Sequence, residues 1–376
     1  MAFFQTGIGW RRAVGALTLW VGALAAGWAG LGVVPAAAAP ATPAEPGLVF
    51  TSWGGSYAQA QQQTLVGPFS AQTGLRVQVQ EYAGGLAQLR AQQAAGRMEW
   101  DVVDLVMGDA LEACRLGLLE RIDPASLEPG TQGEAPQDDY PPGTLTPCLA
   151  GTTVWSIVLV HRRQAQASHD PRTLADLFDL ERFPGKRGLR RTPEGNLEWA
   201  LLADGVPVEQ VYAVLSTPAG VERAFRKLDT LKSRIVWWDD PATPLQLLAR
   251  GEVVMSSTYN GRAYAAMLKG AGSLRFIWDG QLLSVTGLGI VKGGPHPAAA
   301  RDFLRFATRP ATMAAMAPLM AYGPTRLSAA RLVDPVMMHL LPTAPWYRKR
   351  SLNLDTAWWL QHGEAMRRRF DTWLAR

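Results

Sequence analysis

At 376 residues the chain is longer than one hydrophobic core usually organises, which excludes a single small domain and points to two lobes. With 48% hydrophobic and 18% charged residues it is neither disordered, collagenous nor a polytopic membrane chain. Its net charge of +5, two units of which come from Arg11 and Arg12, is too small to single out nucleic acid as a partner.

Residues 13–34 form an apolar run between Arg11-Arg12 and Ala36-Ala37-Ala38-Ala39, the three-part plan of an export signal. The spacing predicts a signal peptide over 1–38, cut after Ala38, since Pro40 disfavours a cut directly before it. A single uncleaved anchor is the alternative. The arginine pair leaves the Sec and Tat routes both open. No cysteine lies near the cut, so the mature chain is expected free of lipid in the periplasm. That oxidising compartment makes Cys114 and Cys148, the only cysteines, an expected disulfide rather than two buried thiols. Such a bridge would stabilise the fold by about 3–4 kcal/mol in the chain-entropy model.

A Pro/Ala linker at 39–47 precedes the first strand, Leu48-Val49-Phe50-Thr51, which ends in Ser52-Trp53-Gly54-Gly55-Ser56-Tyr57. A helix over 56–73, a strand over 75–81, a helix over 85–93 and a strand over 100–106 follow, a βαβαβ order that predicts a parallel sheet. The β-branched run 151–161 is a long strand. Residues 172–232 read as mostly helical, with Pro171, Pro193, Pro207 and Pro218 as helix starters. Strands recur at 235–238, 253–256, 274–278 and 287–291, and helices at 297–307 and 310–319. The expected division is one lobe from 48–155 and 285–345, a second lobe from 156–284, and a C-terminal helical segment at 346–376.

Motifs of known enzyme chemistry are missing: no nucleophile elbow, no P-loop and no H-E-x-x-H. The five histidines show no metal-ligand spacing on a helix, and no cofactor is expected. Aromatic and acidic residues instead gather at strand ends, where open α/β sheets bind ligands. Trp53, Tyr57, Glu198, Trp237, Asp239, Tyr259 and Arg262 are the candidate ligand-binding residues, and Trp238, Asp240 and Asp279 belong to the same strand-end set. An aromatic face attracts an ammonium group by about 0.5–2 kcal/mol, and a carboxylate adds a charge-assisted hydrogen bond. The same residues could also be core tryptophans and an Asp-Asp-Pro turn.

From about Val49 to Trp373 the chain resembles the extracellular solute-binding proteins of ABC transporters, of the type related to spermidine and putrescine receptors. The resemblance rests on Ser52-Trp53-Gly54-Gly55-Ser56-Tyr57, Trp100-Asp101-Val102-Val103-Asp104, Phe183-Pro184-Gly185-Lys186-Arg187-Gly188, Leu197-Glu198-Trp199, Ile235-Val236-Trp237-Trp238, Tyr259-Asn260-Gly261-Arg262 and Tyr322-Gly323-Pro324-Thr325. It implies two α/β lobes of the type II periplasmic-binding-protein fold closing on a ligand in an interlobe cleft, and an ABC permease as partner. Relatives of this type commonly carry an aspartate and a tryptophan just before the strand at 287–291, where this chain reads Leu282-Leu283-Ser284-Val285-Thr286-Gly287-Leu288-Gly289. A long polyamine would lack a carboxylate there unless Asp104, Asp240 or Asp279 supplies one. Arg262 either grips a ligand carboxylate, which favours a zwitterionic ω-amino acid, or pairs with an acid such as Asp239. The expectation is a monomeric periplasmic receptor for a small amine or amino-acid ligand. An extracytoplasmic α/β enzyme and a ligand-sensing subunit are the alternatives.

Overall fold

The computed structural model describes residues 47–163 and 169–376. The expected signal peptide and all but the last residue of the linker lie outside the described residues. β1 (Leu48–Ser52) is an apolar run buried along its whole length, as an inner strand of a parallel sheet requires. It pairs in parallel with β2 (Val77–Glu81) and β3 (Val102–Val106), in agreement with the βαβαβ reading. The helix expected over 56–73 is interrupted by a π-helical turn at Gln62–Val66. Pro68 follows directly and brings no N–H to the helix, and the Gly67 N–H donates to the Gln62 carbonyl five residues back.

The remaining strands are β4 (Ala150–Arg162), β5 (Arg187–Arg190), β6 (Ile235–Trp238), β7 (Met255–Tyr259), β8 (Leu274–Ile290), β9 (Gly323–Pro324) and β10 (Leu352–Asn353). The sheet order is β2-β1-β3-β8-β4-β7-β5-β6, with β9 on β4 and β10 on β8. The two strands expected at 274–278 and 287–291 are thus one 17-residue strand. Gly280, at φ +72, carries the chain between two stretches that both pair antiparallel with β4. β4 and β8 therefore join a parallel group around β1 to a parallel group around β5. β4 has register shifts at Gly151/Thr153 and Ile157/Leu159 that frame its middle, and such irregularities bend a strand.

The core follows the same division. Helix Pro297–Ala307 lays Phe303 and Leu304 on Phe50, Val102 and Leu288. Around β5, Leu189, Trp199, Phe225 and Leu228 pack with Trp358, Phe370 and Trp373 of the C-terminal helix Thr356–Leu374. Helix Pro218–Asp229 starts with Pro218 at its first position, after Thr217, whose hydroxyl accepts from the Gly220 N–H at 3.0 Å. Arg187, from the Phe183–Gly188 motif, is fully buried and donates to the carbonyls of Leu177, Asp179, Phe183 and Gly185, so that motif is structural. Cys114 is bonded to Cys148, as expected, tying helix Met107–Arg115 to the segment entering β4.

Candidate functional site

Strand alternation puts Asp104 on the same face of β3 as Val102, where it pairs directly with Leu288 of β8. Its side chain is fully buried. Oδ2 accepts from the Tyr57 hydroxyl at 2.8 Å and from Gln61 Nε2 at 2.7 Å, and these two donors share one face of helix Gly55–Gln61 at i and i+4. Oδ1 and the indole N–H of Trp53 each lack a well-formed hydrogen bond, although Trp53 and Ser52 stand near enough to the carboxyl to act on it. Burial pushes the Asp104 carboxyl up to about 7, against the opposing pull of Tyr57, Gln61, Trp53 and Ser52. The Trp53 ring is held 5.1 Å from Tyr82 and lies on the backbone of Gly84. A Cβ on Gly84 would come within 2.4 Å of that ring, and its φ of +86° also favours glycine.

Beyond Asp104 the paired residues Thr153 and Thr286 join hydroxyls at 2.7 Å beside Tyr57. Tyr322 lies 5.8 Å from Tyr57, ring to ring, and packs where Gly261 has no side chain. Burial raises the Tyr322 hydroxyl's pKa, Arg262 lowers it, and Tyr259 and Asp104 raise it, so these groups are within electrostatic reach of one another. Tyr259, at the end of β7, has Trp155 at 5.5 Å, Trp238 at 6.3 Å and the Arg190 guanidinium 5.9 Å from its ring centre. Its own pKa is raised by burial, lowered by Arg190, raised by Glu194 and lowered by Arg262. Among the described residues neither Arg190 nor Arg262 has an ion-pair partner. A half-satisfied carboxylate thus stands on one side of an aromatic array, and two guanidiniums without an ion-pair partner on the other. That is the chemistry for holding an ammonium and a carboxylate at the two ends of one small molecule.

The family model for bacterial extracellular solute-binding protein matches residues 64–343. The chain belongs to this family. It is 40% identical over 329 residues to the gamma-aminobutyric acid-binding protein of Pseudomonas aeruginosa, covering 88% of this chain and 91% of that one. Among solved structures, a GABA receptor is 32% identical with a TM-score of 0.74, covering 88% of this chain and 98% of that one. An ABC transporter substrate-binding protein from Bradyrhizobium japonicum is 31% identical with a TM-score of 0.78, covering 87% and 98%. The α/β architecture is that of the two-lobed periplasmic binding proteins.

In this solute-binding protein the residues expected from sequence fall into two groups. Trp53 and Tyr57 surround Asp104, and Tyr259 and Arg262 lie on the guanidinium side. The other three are engaged elsewhere. Glu198, in the first turn of helix Asn196–Ala203, accepts from the Gly195 N–H at 2.8 Å, Trp359 Nε1 at 2.7 Å and the Tyr212 hydroxyl at 3.1 Å. Trp237 packs on Phe370 and Trp373 of the C-terminal helix. Asp239 is an exposed carboxylate paired with Arg191 at 3.1 Å, so Arg262 does not take it as a partner. Of the alternative acids, Asp240 caps a turn by accepting from the Ala242 N–H, and Asp279 is bonded to Arg350 and the Leu174 N–H. Asp104 keeps a buried oxygen with neither a hydrogen bond nor an ion pair, whereas the Asp279 oxygen that lacks a hydrogen bond pairs with Arg350. Arg190, Trp155 and Tyr322 were not singled out from sequence. Arg190 and Tyr322 carry the available signal: one ends β5 beside the end of β7, and the other opens the quoted Tyr322–Thr325 motif.

Proposed function

We propose that this protein captures a small ω-amino acid of the γ-aminobutyrate type outside the cytoplasm and delivers it to an ABC permease for import. The observation that carries the reading is the pairing of the unpartnered Asp104 oxygen with two guanidiniums that have no ion-pair partner among the described residues, Arg190 and Arg262, around Tyr57, Tyr322 and Tyr259. The ammonium goes to Asp104, Trp53 and Tyr57, and the carboxylate to Arg262 and Arg190. The acid missing from 282–289 is then supplied by the neighbouring strand, since Asp104 stands opposite Leu288. Two relatives named for γ-aminobutyrate support the ligand class. The lobes, 48–155 with 285–345 and 156–284, close on the ligand by bending β4 and β8. An export signal ahead of residue 39 and a periplasmic location complete the reading.

A diamine is the second reading, because Glu194 lies close to Tyr259 and offers a carboxyl on that side. Burial raises the Glu194 pKa and the neighbouring Arg190 and Arg367 lower it. Calorimetry with γ-aminobutyrate, putrescine and spermidine separates the two. The ω-amino acid should bind at least tenfold more tightly than either polyamine. Arg262→Ala should weaken it by about tenfold to a hundredfold, the range of a charged hydrogen bond, without weakening putrescine. Tighter binding of putrescine, improved further by Arg262→Ala, would transfer the assignment to diamines.

A further inference from the structure

Gln61 ends helix Gly55–Gln61 and is buried between two fully buried side chains, Ser52 at the end of β1 and Asp104 in the middle of β3. Both ends of its amide are used. Oε1 accepts from the Ser52 hydroxyl, and Nε2 donates to Asp104 Oδ2 at 2.7 Å, beside the Tyr57 hydroxyl at 2.8 Å. An irregularity of the helix keeps Gln61 there: the π-helical turn Gln62–Val66 starts at the next residue, and its wider turn lets Leu65, Val66 and Phe69 reach the core around Phe50 while Tyr57 and Gln61 stay on Asp104.

Two donors from one helix fix the plane of the carboxyl and occupy Oδ2, which leaves Oδ1 as the oxygen for a cation. A donor to a carboxylate also favours its ionised form. The Ser52 bond polarises the amide and strengthens its Nε2 donor, as chained hydrogen bonds do in a low-dielectric interior. The titratable groups that face Asp104 are phenols: Tyr57 from the helix, Tyr82 after β2, whose hydroxyl donates to the Asp104 backbone carbonyl, and Tyr322. Burial raises all three, so they stay neutral while the carboxyl titrates. A further carboxyl, Asp109 of helix Met107–Arg115, acts on Tyr82, and β4 and β8 present Thr153 and Thr286, which do not titrate. We infer that Ser52 and Gln61 are a positioning pair: they hold one Asp104 oxygen so that the other is left to the ligand, and they set the pH above which the protein takes an ammonium. This role rests on Asp104 being the ammonium acceptor proposed above. Without the pair the carboxyl ionises only at higher pH, and affinity is lost first at the acid end. A pair that served the fold alone would lower stability, or affinity at every pH alike.

The test uses Gln61→Leu, which keeps the bulk and removes both polar ends, with the milder Ser52→Ala should the first fail to fold. In the ligand-free proteins, carbon-13 NMR of the Asp104 carboxyl, assigned by its absence in Asp104→Asn, should give a midpoint about one pH unit above native in Gln61→Leu and about half a unit above it in Ser52→Ala, the size of a hydrogen bond to a charged group. Calorimetry with γ-aminobutyrate should show the same displacement in Gln61→Leu: binding about tenfold weaker than native near pH 6 and within about threefold of native near pH 9. A native carboxyl midpoint in whichever variant folds would overturn the pair, whatever happens to affinity. A midpoint that moves while affinity keeps its native pH profile would instead remove Asp104 from the ammonium site, and with it the role of the pair in binding.

Discussion

The middle of β3 and the first turn of helix Asn196–Ala203 each bury a carboxyl completely, and in both burial pushes the pKa up to about 7. Their hydrogen bonds differ. Glu198 accepts from three donors, one of them the backbone of its own helix start and two from Tyr212 and the C-terminal helix. Asp104 accepts from two donors on one oxygen and from none on the other. A shifted pKa alone therefore does not mark a binding group. What marks it is the desolvated oxygen left without a donor, since that is the group with something to gain from a ligand.

The strongest break of this comparison is Asp104→Asn. Removing the charge from a desolvated ion pair costs about 2–5 kcal/mol of binding, so γ-aminobutyrate affinity should fall by at least about thirtyfold in calorimetry. Fold stability should be equal or higher at pH 8. The native Asp104 pKa is raised, so its contribution to stability is present at low pH and is lost as pH rises toward 7. Retained affinity would remove Asp104 from the site.

Glu198→Ala should do the reverse. Leaving Trp359, Tyr212 and the Gly195 N–H without their acceptor should destabilise the protein by about 1–3 kcal/mol, while affinity per folded molecule stays within twofold. The native Glu198 pKa is also raised, so its stabilising contribution is fullest at low pH and declines as pH rises through about 7. Thermal unfolding should accordingly show a larger deficit at pH 5 than at pH 8. A hundredfold loss of affinity would instead make Glu198 a ligand group.

The same carboxyls give stability and binding opposite pH dependences. An ammonium needs ionised Asp104, so its affinity should rise by up to about tenfold per pH unit toward pH 7 and level off above it. Stability falls over the same interval. In Asp104→Asn the rise in affinity should vanish, whereas a rise that persists would assign it to another group.

The parallel strands, the disulfide and the Trp53–Tyr57 turn were legible because each is written locally: apolar runs, two cysteines in an oxidising compartment, glycines where the backbone needs positive φ. The Asp104 site was less legible. Its essential property, one unpartnered oxygen, depends on β3 standing beside β8 and on the Tyr57 helix lying across both, relations that no local pattern carries. The choice between adjacent tryptophans is hard to read from sequence for a related reason. A strand turns alternate residues to opposite faces, and Ile235-Val236-Trp237-Trp238 offers an aromatic to each. Trp237 meets the C-terminal helix more than 100 residues onward, and Trp238 meets Tyr259.

The smallest expected effect is that of Asp239→Ala. Sequence made Asp239 a neutralising acid at the end of β6, and the structure gives it a solvated partner, Arg191, with side-chain exposures of 66% and 56%. An ion pair so exposed contributes about 0–1 kcal/mol, because water screens both charges. Its removal should therefore change the melting temperature by no more than a degree or two and γ-aminobutyrate affinity by less than twofold. Added salt should erase even that difference, since a surface pair is screened over about 8 Å at physiological ionic strength. A loss approaching that of Asp104→Asn would mean that the ammonium sits at the β6 end of the cleft, and the two ends of the ligand would have to be exchanged.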